Sequence, residues 1–545
     1  MSKMSRMTKS KTAWKNKAIG RGAALRYLKA ELKRVKKERD QAQSELKEVK
    51  KNWAESTKNN ALALNKELLI FISLRLFIDG HIGFRATSRV LGILQTFLGI
   101  FKVPSPQTII NWVTKYSLAK IWNYDALPAL SLVRNKFVNG SIWIIDTSIA
   151  LGAGKILAVL ELKIDHYNNN DGAPTLEDIN CVAISVANSW TGEAVANFLQ
   201  KVIEVTGKPA AYLKDGGLEL KKAVRLLNER GFSSSSIDDV SHVVANLLKN
   251  EYSKHPLYDV FMSACGQSSK KLKQTMLAFF APPKVSTKAR FMNIHKLVKW
   301  AEMALKHSPV GRTSEGGIIA KFRTALGKLP ECKSFIKRFL RDATPLLESE
   351  KILKMKGLNL ETYQECKNLV KTIPERSKVR IGFVLWMEKQ LMVNESLGIG
   401  NTGLPVSSDN IESLFGLGKT HGVGAIKDAN RIALRLPAFC GKVTRESAKM
   451  VMNITVEQQQ ELESKLLSLT KQRRKILPNP GSLTDNLSDD YSNLSLLPVP
   501  KSEEKVSDNS KNTVSYDQID SPAKKAPKRI EILNETIHEC CAEAA

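Results

Sequence analysis

SIWIIDTS (141–148), KILAVLELKID (155–165) and INCVAISVANSW (179–190) are three successive apolar runs rich in β-branched residues. Each run has the length of a strand, and only short segments separate one run from the next. We therefore expect three antiparallel strands arranged as a meander.

Helical and extended segments alternate after this meander. The stretches 191–207 and 217–231 predict helices, and each of them ends in Gly. KPAAYLKD (208–215) predicts a fourth strand, and SSSIDDVSHV (234–243) predicts a short fifth strand. The order β-β-β-α-β-α-β indicates an α/β fold with a mixed sheet that carries helices on its faces.

The composition indicates a nucleic-acid partner. The chain has 545 residues, which is too long for one simple core, so we expect two to four domains. Lys and Arg number 83 against 54 Asp and Glu, and the net charge of +29 favours a polyanion, most simply nucleic acid. The seven cysteines show no C-x-x-C spacing, which disfavours a disulfide scaffold and a zinc finger.

The sequence also predicts an intracellular location. The N-terminus is polar and basic, without the apolar core of a secretory signal, and no run of 18 apolar residues predicts a membrane span. We therefore expect no membrane partner and a cytoplasmic protein associated with the nucleoid.

A heptad pattern predicts a coiled coil at residues 24–60, after a basic flexible arm at 1–23. Apolar residues recur there at steps of three and four, with one charged interruption. The pattern comprises Leu25, Leu28, Leu32, Val35, Arg39, Ala42, Leu46, Val49 and Trp53. A dimeric coiled coil is one interpretation, and a single charged helix that packs on its own domain is the other.

Residues 61–135 predict a helical domain similar to a helix-turn-helix DNA-binding unit. Its segment SPQTIINWVTKYSLAKIW (105–122) begins with Ser at the N-cap position and places apolar residues on one face. The second helix of such a unit enters the major groove, so Gln107, Thr108 and Asn111 are candidates for contacts with base edges. The alternative is an ordinary helical bundle without groove contacts.

Three acids are candidates for one catalytic site: Asp146, Asp215 and Glu412. Asp146 lies inside the first predicted strand and Asp215 at the end of the fourth, and neighbouring strands would bring them to one edge of the sheet. Glu412 lies on SSDNIESLFGLGKTH (407–421), which predicts a helix with one polar side. Three carboxylates offer oxygen ligands to two Mg²⁺ or Mn²⁺ ions about 4 Å apart, an arrangement that promotes phosphoryl transfer.

Each acid also has an ordinary structural interpretation. A single Asp at a strand end is usually a turn or cap residue, and Glu412 alone would be a surface acid of a helix. Asp146 fits this view less well, because a carboxylate that follows the apolar run IWII is costly without a partner or a metal. Rivals of Glu412 for the helical acid are Glu388, Glu395 and Asp409, of which Glu395 is the most serious.

These motifs resemble those of the DDE transposases of bacterial insertion sequences, which have an RNase H-like catalytic core. The matching residues are Asp146 in IIDTS, Asp215 in YLKDGG and Glu412 in DNIESLFGLGKT. The resemblance implies that Lys419, separated from Glu412 by six residues, contacts a phosphate of the transposon end. Four residues before the Glu, where the family often has Arg, this chain has Ser408. The resemblance also implies a helical insertion between the fifth strand and the helix that carries the Glu.

The activity implied by the resemblance is two-metal cleavage at the 3′ ends of a mobile element, followed by strand transfer into target DNA. The protein would act as a homodimer or a larger synaptic complex. Asp239 and His242, in the motif DVSH, resemble an auxiliary pair of several transposase groups, although Asp239 could instead cap the next helix while His242 packs at its start. Two other functions stay open: an RNase H-like nuclease or resolvase, and a non-catalytic DNA-binding protein from a degenerate element.

These predictions together divide the chain into domains. The segment after about residue 476 is rich in Ser, Asn, Asp and Pro, which predicts disorder. The predicted domains are a basic flexible arm (1–23), a coiled coil (24–60), a helix-turn-helix-like domain (61–135), an RNase H-like core (136–260 and 401–440), an all-helical insertion (261–400), a C-terminal helix (441–477) and a disordered tail (478–545).

Overall fold

The structure, a computed structural model, describes most of the chain. The described residues are 27–45 with a few isolated positions around them, 65–100, 102–122, 140–149, 154–169, 172–285, 290–308, 310–420, 429–464 and 494–498. Almost all of the arm predicted at 1–23, the second half of the predicted coiled coil and most of the predicted tail lie outside the described residues.

A mixed sheet lies at the centre of the fold. Its strands are β1 (Ser141–Ile149), β2 (Lys155–Lys163), β3 (Ile179–Ala187), β4 (Ala211–Lys214), β5 (Ser235–Asp238) and β6 (Leu494–Leu496). Across the described residues the strand order is β5-β4-β1-β2-β3-β6. β1, β2 and β3 form an antiparallel meander, whereas β1, β4 and β5 run parallel to one another. The predicted α/β class with a mixed sheet is confirmed.

Helices make up most of the remaining described structure. They are α1 (27–45), α2 (Lys66–Ile78), α3 (Phe84–Ile93), α4 (Pro106–Trp122), α5 (His166–Asn169), α6 (Gly192–Thr206), α7 (Leu218–Glu229), α8 (Val240–Tyr252), α9 (Tyr258–Lys273), α10 (Arg290–Lys306), α11 (Ile318–Leu326), α12 (Lys333–Lys356), α13 (Leu360–Leu369), α14 (Lys378–Ser396), α15 (Asp409–Thr420), α16 (Ala429–Ala433), α17 (Arg445–Asn453) and α18 (Val456–Ser464). In the region of the predicted insertion, the long helix α12 packs against α8, α10 and α13. No helix in the described part of the chain is long and apolar enough to cross a membrane.

The sheet is covered on both faces, because alternate residues of a strand point to opposite sides. On one face Trp143 and Ile145 pack with apolar residues of α6 and α7. On the other face Ile142 and Ile144 belong to the main core, which extends into the surrounding helices. This double cover explains why the strands are apolar along nearly their whole length.

The helix α4 starts at the residue that the sequence indicates. The Ser105 hydroxyl accepts a hydrogen bond from the backbone N–H of Thr108 at 3.1 Å. Ile109 and Val113 are buried, and α4 packs against α2, α3 and β3. The helix therefore rests on the sheet domain through the apolar face that the pattern predicts.

The described residues of the C-terminal region differ from two expectations. Residues 441–477 do not form one helix, because their described part contains α17 and α18 with the extended residue Ile454 between them. Within the tail expected to be disordered, β6 adds to the edge of the sheet beside β3. Leu496 is buried there, and the hydroxyls of Ser495 and Ser185 share a hydrogen bond of 2.8 Å. A short apolar segment of a polar tail thus pairs with an edge that would otherwise be open.

Candidate active site

Asp146 lies on β1, and Asp215 directly follows the neighbouring strand β4. Ile145 of β1 pairs with Lys214 of β4 in parallel register, and each acid is the next residue along its strand direction. Successive positions of paired parallel strands lie side by side. The structure therefore brings together the two aspartates that the strand order predicts to be neighbours.

Local hydrogen bonds orient both aspartates. Asp146 accepts a hydrogen bond from the backbone N–H of Thr147 at 2.6 Å, and Asp215 accepts one from the backbone N–H of Gly217 at 2.8 Å. A Cβ atom at position 217 would lie only 2.8 Å from Oδ1 of Asp215. Gly217 therefore leaves the space that this carboxylate occupies.

The pKa of Asp146 is raised from 3.8 to about 7. Burial is the main cause, because it removes water from the carboxylate, and the negative charges of Asp215 and Glu412 add to the effect. The hydrogen bond from Thr147 and the charge of His242 act in the opposite direction. Perturbed acids of this kind are enriched at functional sites, so the cluster is a candidate active site.

Glu412 joins the cluster from α15, which packs against β1. The helix buries Ile411 and Leu414 and leaves Glu412 on its exposed side. The charge of Glu412 acts on Asp146, so the helical acid belongs to the same electrostatic cluster. Lys419 is exposed in the last turn of this helix, and its charge helps to lower the pKa of Glu412.

His242 forms an ion pair with Glu412. Its Nε2 atom lies 3.5 Å from Oε1 of Glu412. This contact, with the nearby charges of Asp239 and Asp215, raises the pKa of His242 to about 9 against the opposing effect of burial. The same contact lowers the pKa of Glu412. His242 is therefore a cation at neutral pH and compensates part of the negative charge of the cluster.

Asp239 connects the two helices that carry His242 and Glu412. It caps α8 by accepting a hydrogen bond from the backbone N–H of His242 at 2.8 Å. Its other oxygen accepts hydrogen bonds from the backbone N–H and the hydroxyl of Ser408 at 2.6 and 2.8 Å. Because Ser408 immediately precedes α15, these bonds fix the start of the helix that presents Glu412. Ser408 therefore positions α15 relative to α8.

A network of charged residues joins α15 to the helical region that follows the sheet. Lys354 of α12 lies 2.8 Å from Glu350 on its own helix and 2.8 Å from Asp409 of α15. Ser241 of α8 donates a hydrogen bond to Glu350 at 2.8 Å. The spacing of Glu350 and Lys354 predicts a pair on one helix, but no sequence signal links them to Asp409. Sequence reasoning therefore missed this network.

A cleft of about 540 Å³ opens beside Glu412. Its walls come from α8, α10, α12 and α15, so the helical region and the sheet domain both contribute to it. Phe291 and Met292 provide apolar surface, and Lys296 provides a positive charge. Lys354, Glu350 and Asp409 also line the cleft, so its walls are partly apolar and of mixed charge, and Glu412 is the acid of the cluster that reaches it.

The three alternatives to Glu412 have other partners or lie elsewhere in the fold. Glu388 accepts a hydrogen bond from the Tyr363 hydroxyl at 2.8 Å, and Asp409 pairs with Lys354. Glu395 is exposed near the end of α14. The acids whose charges raise the pKa of Asp146 are Asp215 and Glu412, which favours Glu412 over these rivals.

The candidates for base contacts lie on α4, away from the acidic cluster. Gln107 donates a hydrogen bond to Asn111 at 2.9 Å, and the hydroxyls of Thr108 and Ser105 are 2.9 Å apart. α4 packs against β3, which is two strands away from β1. Their role in reading bases stays a prediction.

The acidic cluster suits hard divalent cations by its donor chemistry. Within the described residues, no three His, Cys, Asp or Glu side chains form a ready-made ligand set for one ion. Mg²⁺ does not require such a set, because it is commonly held by one or two carboxylates together with waters and substrate phosphates. A bound cation would also neutralise the like charges that raise the pKa of Asp146. The oxygen donors of Asp146, Asp215 and Glu412 therefore fit Mg²⁺ or Mn²⁺.

Comparison of the chain with protein families and with curated proteins finds no match.

Proposed function

We propose that this protein is a DNA transposase of the DDE type, in which Asp146, Asp215 and Glu412 are the catalytic acids. The observation that carries the proposal is the convergence of these acids: Asp146 and Asp215 directly follow a paired position of β1 and β4, and the charges of Asp215 and Glu412 both act on Asp146. The three acids come from two adjacent strands and one packed helix, far apart in sequence. Such convergence is hard to explain by turn or cap roles alone.

The three acids would hold two Mg²⁺ or Mn²⁺ ions. Ions held there would supply Lewis-acid activation of the attacking water or 3′-hydroxyl and stabilisation of the charge on the leaving 3′-oxygen. The protein itself supplies placement: the pairing of β1 with β4 holds Asp146 beside Asp215, and the bonds from Ser408 to Asp239 hold the helix of Glu412. His242 supplies a positive charge that can also attract a DNA phosphate.

The architecture supports an RNase H-like core and a transposase rather than a simple nuclease. The meander followed by two parallel strands has the strand order expected for that core. The helical region between β5 and α15 forms walls of the cleft beside Glu412, which supports a role of this region in binding the substrate. The net charge of +29 supports binding of transposon ends and target DNA in a nucleoid-associated, cytoplasmic complex. In that complex Lys419 would contact a phosphate, and Gln107, Thr108 and Asn111 would contact bases.

A cleavage assay on native DNA tests this proposal. The purified full chain is incubated with labelled DNA that flanks its own gene on each side, with Mg²⁺, with Mn²⁺ or with EDTA, in the presence of a supercoiled target plasmid. Asp146→Asn and Glu412→Gln should retain DNA binding and lose cleavage by at least about a hundredfold, the scale expected when one electrostatic group of an active site is removed. Glu395→Gln is the matched control, because it removes an exposed helical acid of the same type.

The products separate the three candidate functions. Cleavage at 3′ ends followed by joining to the plasmid supports a transposase. Cleavage without joining indicates a nuclease or resolvase, and metal-independent binding without cleavage indicates a non-catalytic DNA-binding protein. Equal cleavage by wild type and Asp146→Asn would refute the acidic cluster as the site, and loss in Glu395→Gln alone would assign the helical acid to Glu395.

A further inference from the structure

The helix α1, together with Leu25 just before it, exposes an apolar stripe. Leu25, Leu28, Leu32 and Val35 have 58, 63, 58 and 53% of their surface exposed, although they recur at the helical steps of three and four. Side chains of this type are normally buried, and a stripe with this spacing fits into a second helix of the same kind. In heptad notation Leu25 and Leu32 are a positions, and Leu28 and Val35 are d positions.

The charges beside the stripe discriminate between possible partners. Glu31 and Glu38 occupy the g positions on one flank, whereas Lys29 and Lys36 occupy the e positions on the other flank. In a parallel, in-register pair of helices, each g residue faces the e residue five positions later in the other helix, so Glu31 faces Lys36. An antiparallel pair would place Glu beside Glu and Lys beside Lys, which is unfavourable.

Contacts within α1 hold these charges in place for such a pair. Arg34 lies 3.3 Å from Glu31 and 3.4 Å from Glu38, so it supports both glutamates on the g flank. Arg39, at the one charged a position, donates a hydrogen bond from Nε to Asp40 at 2.9 Å. This bond draws its guanidinium towards the outside of the stripe.

We infer that α1 binds a second copy of this chain as a parallel, in-register, two-stranded coiled coil. The complementary e and g charges select this arrangement over an antiparallel one. Nucleic acid is the other partner that a basic helix could have, but it would not cover an apolar stripe flanked by glutamates. The parallel pairing places two copies of the sheet domain at the same end of the coiled coil, one for each end of a linear DNA element. The pairing does not depend on metal or DNA, so its test is independent of the cleavage assay.

Cysteine cross-linking of the full chain measures the orientation. In a background with Cys540→Ser and Cys541→Ser, Leu28→Cys places a thiol at a d position, where parallel copies meet residue to residue. Ala30→Cys is the matched control, because position 30 points away from the stripe. Under mild oxidation we expect Leu28→Cys to form covalent dimer at least ten times faster than Ala30→Cys. Equal rates for the two variants would overturn the parallel arrangement.

Charge exchange tests the role of the flanks without changing the apolar stripe. The variant Glu31→Lys/Glu38→Lys should be monomeric by light scattering at concentrations where wild type is dimeric. Mixing it with Lys29→Glu/Lys36→Glu should restore a dimer, because the opposite charges again face each other. A wild-type chain that is monomeric without DNA, or an undisturbed dimer of the first variant, would overturn the proposal.

Discussion

Replacing Asp146 with Asn removes a negative charge from the acidic cluster and leaves the shape of the side chain almost unchanged. The pKa of Asp146 in the folded chain is raised from 3.8 to about 7, so between these values the folded state holds a proton that the unfolded state has released. The stability of the wild type therefore falls as the pH rises from about 4 to about 7, and the full penalty is present above that window. Asp146→Asn removes this pH-dependent penalty.

The size of the effect follows from the pKa. At about 1.4 kcal/mol per pKa unit, the penalty is roughly 1–2 kcal/mol at pH 5 and roughly 4 kcal/mol at pH 8. Water and the surrounding chain relax around the charge, which reduces these values. We expect Asp146→Asn to stabilise the site by roughly 1 kcal/mol at pH 5 and roughly 2–3 kcal/mol at pH 8.

Hydrogen–deuterium exchange of the β1 and β4 amides, in EDTA at both pH values, measures the free energy of local opening. Asp79→Asn is the control, because Asp79 forms an exposed ion pair with Arg75 on α2 and should contribute less than about 1 kcal/mol. A stabilisation that is equal at both pH values, or a loss of stability at pH 8, would show that the pKa of Asp146 is not raised in the folded chain. The same variant should lose metal-dependent cleavage, so stability and activity should change in opposite directions.

Three other variants test the contacts around the cluster. The pKa of His242 is raised from 6.5 to about 9, so its pairing with Glu412 stabilises the folded chain fully below pH 6.5. This stabilisation is lost as the pH rises through 9. In urea unfolding, His242→Gln should therefore cost about 1–2 kcal/mol at pH 6 and little at pH 10. Lys354→Met leaves the carboxylates of Glu350 and Asp409 without their shared cation and should cost about 1–3 kcal/mol in thermal unfolding. The control Lys351→Met removes an exposed lysine of the same helix and should cost less than about 0.5 kcal/mol. Equal losses of stability in the two variants would contradict the network. Leu496→Asp places a charge in a buried position of β6 and should weaken its pairing with β3 by about 2–4 kcal/mol, seen as faster exchange of the β3 amides; unchanged exchange would show that β6 does not protect this edge.

The sheet could be predicted because its strands are long, apolar and separated by clear turn and helix signals. The parallel pairing of β4 with β1, and with it the meeting of Asp146 and Asp215, follows from the order of elements. β6 could not be predicted in this way. Its few apolar residues lie in a polar stretch, and they form a strand by pairing with the edge of β3, which is remote in sequence.

The candidate site was predictable as a set of acids but not as a set of contacts. The motifs that resemble those of the DDE transposases indicate Asp146, Asp215 and Glu412, whereas the ion pair of His242 with Glu412 depends on how α8 meets α15. The bonds between Ser408 and Asp239 likewise join segments 169 positions apart. Such contacts are set by tertiary packing, which local patterns do not encode.

β6 has a practical consequence for the rest of the molecule. β6 pairs with the outer edge of β3, and its residues follow a polar segment that would ordinarily be chosen for truncation. A chain truncated after residue 464 would expose the unpaired backbone amides and carbonyls of the β3 edge, and two such chains could pair through these edges. Trimming the tail to improve solubility should therefore do the reverse and promote aggregation.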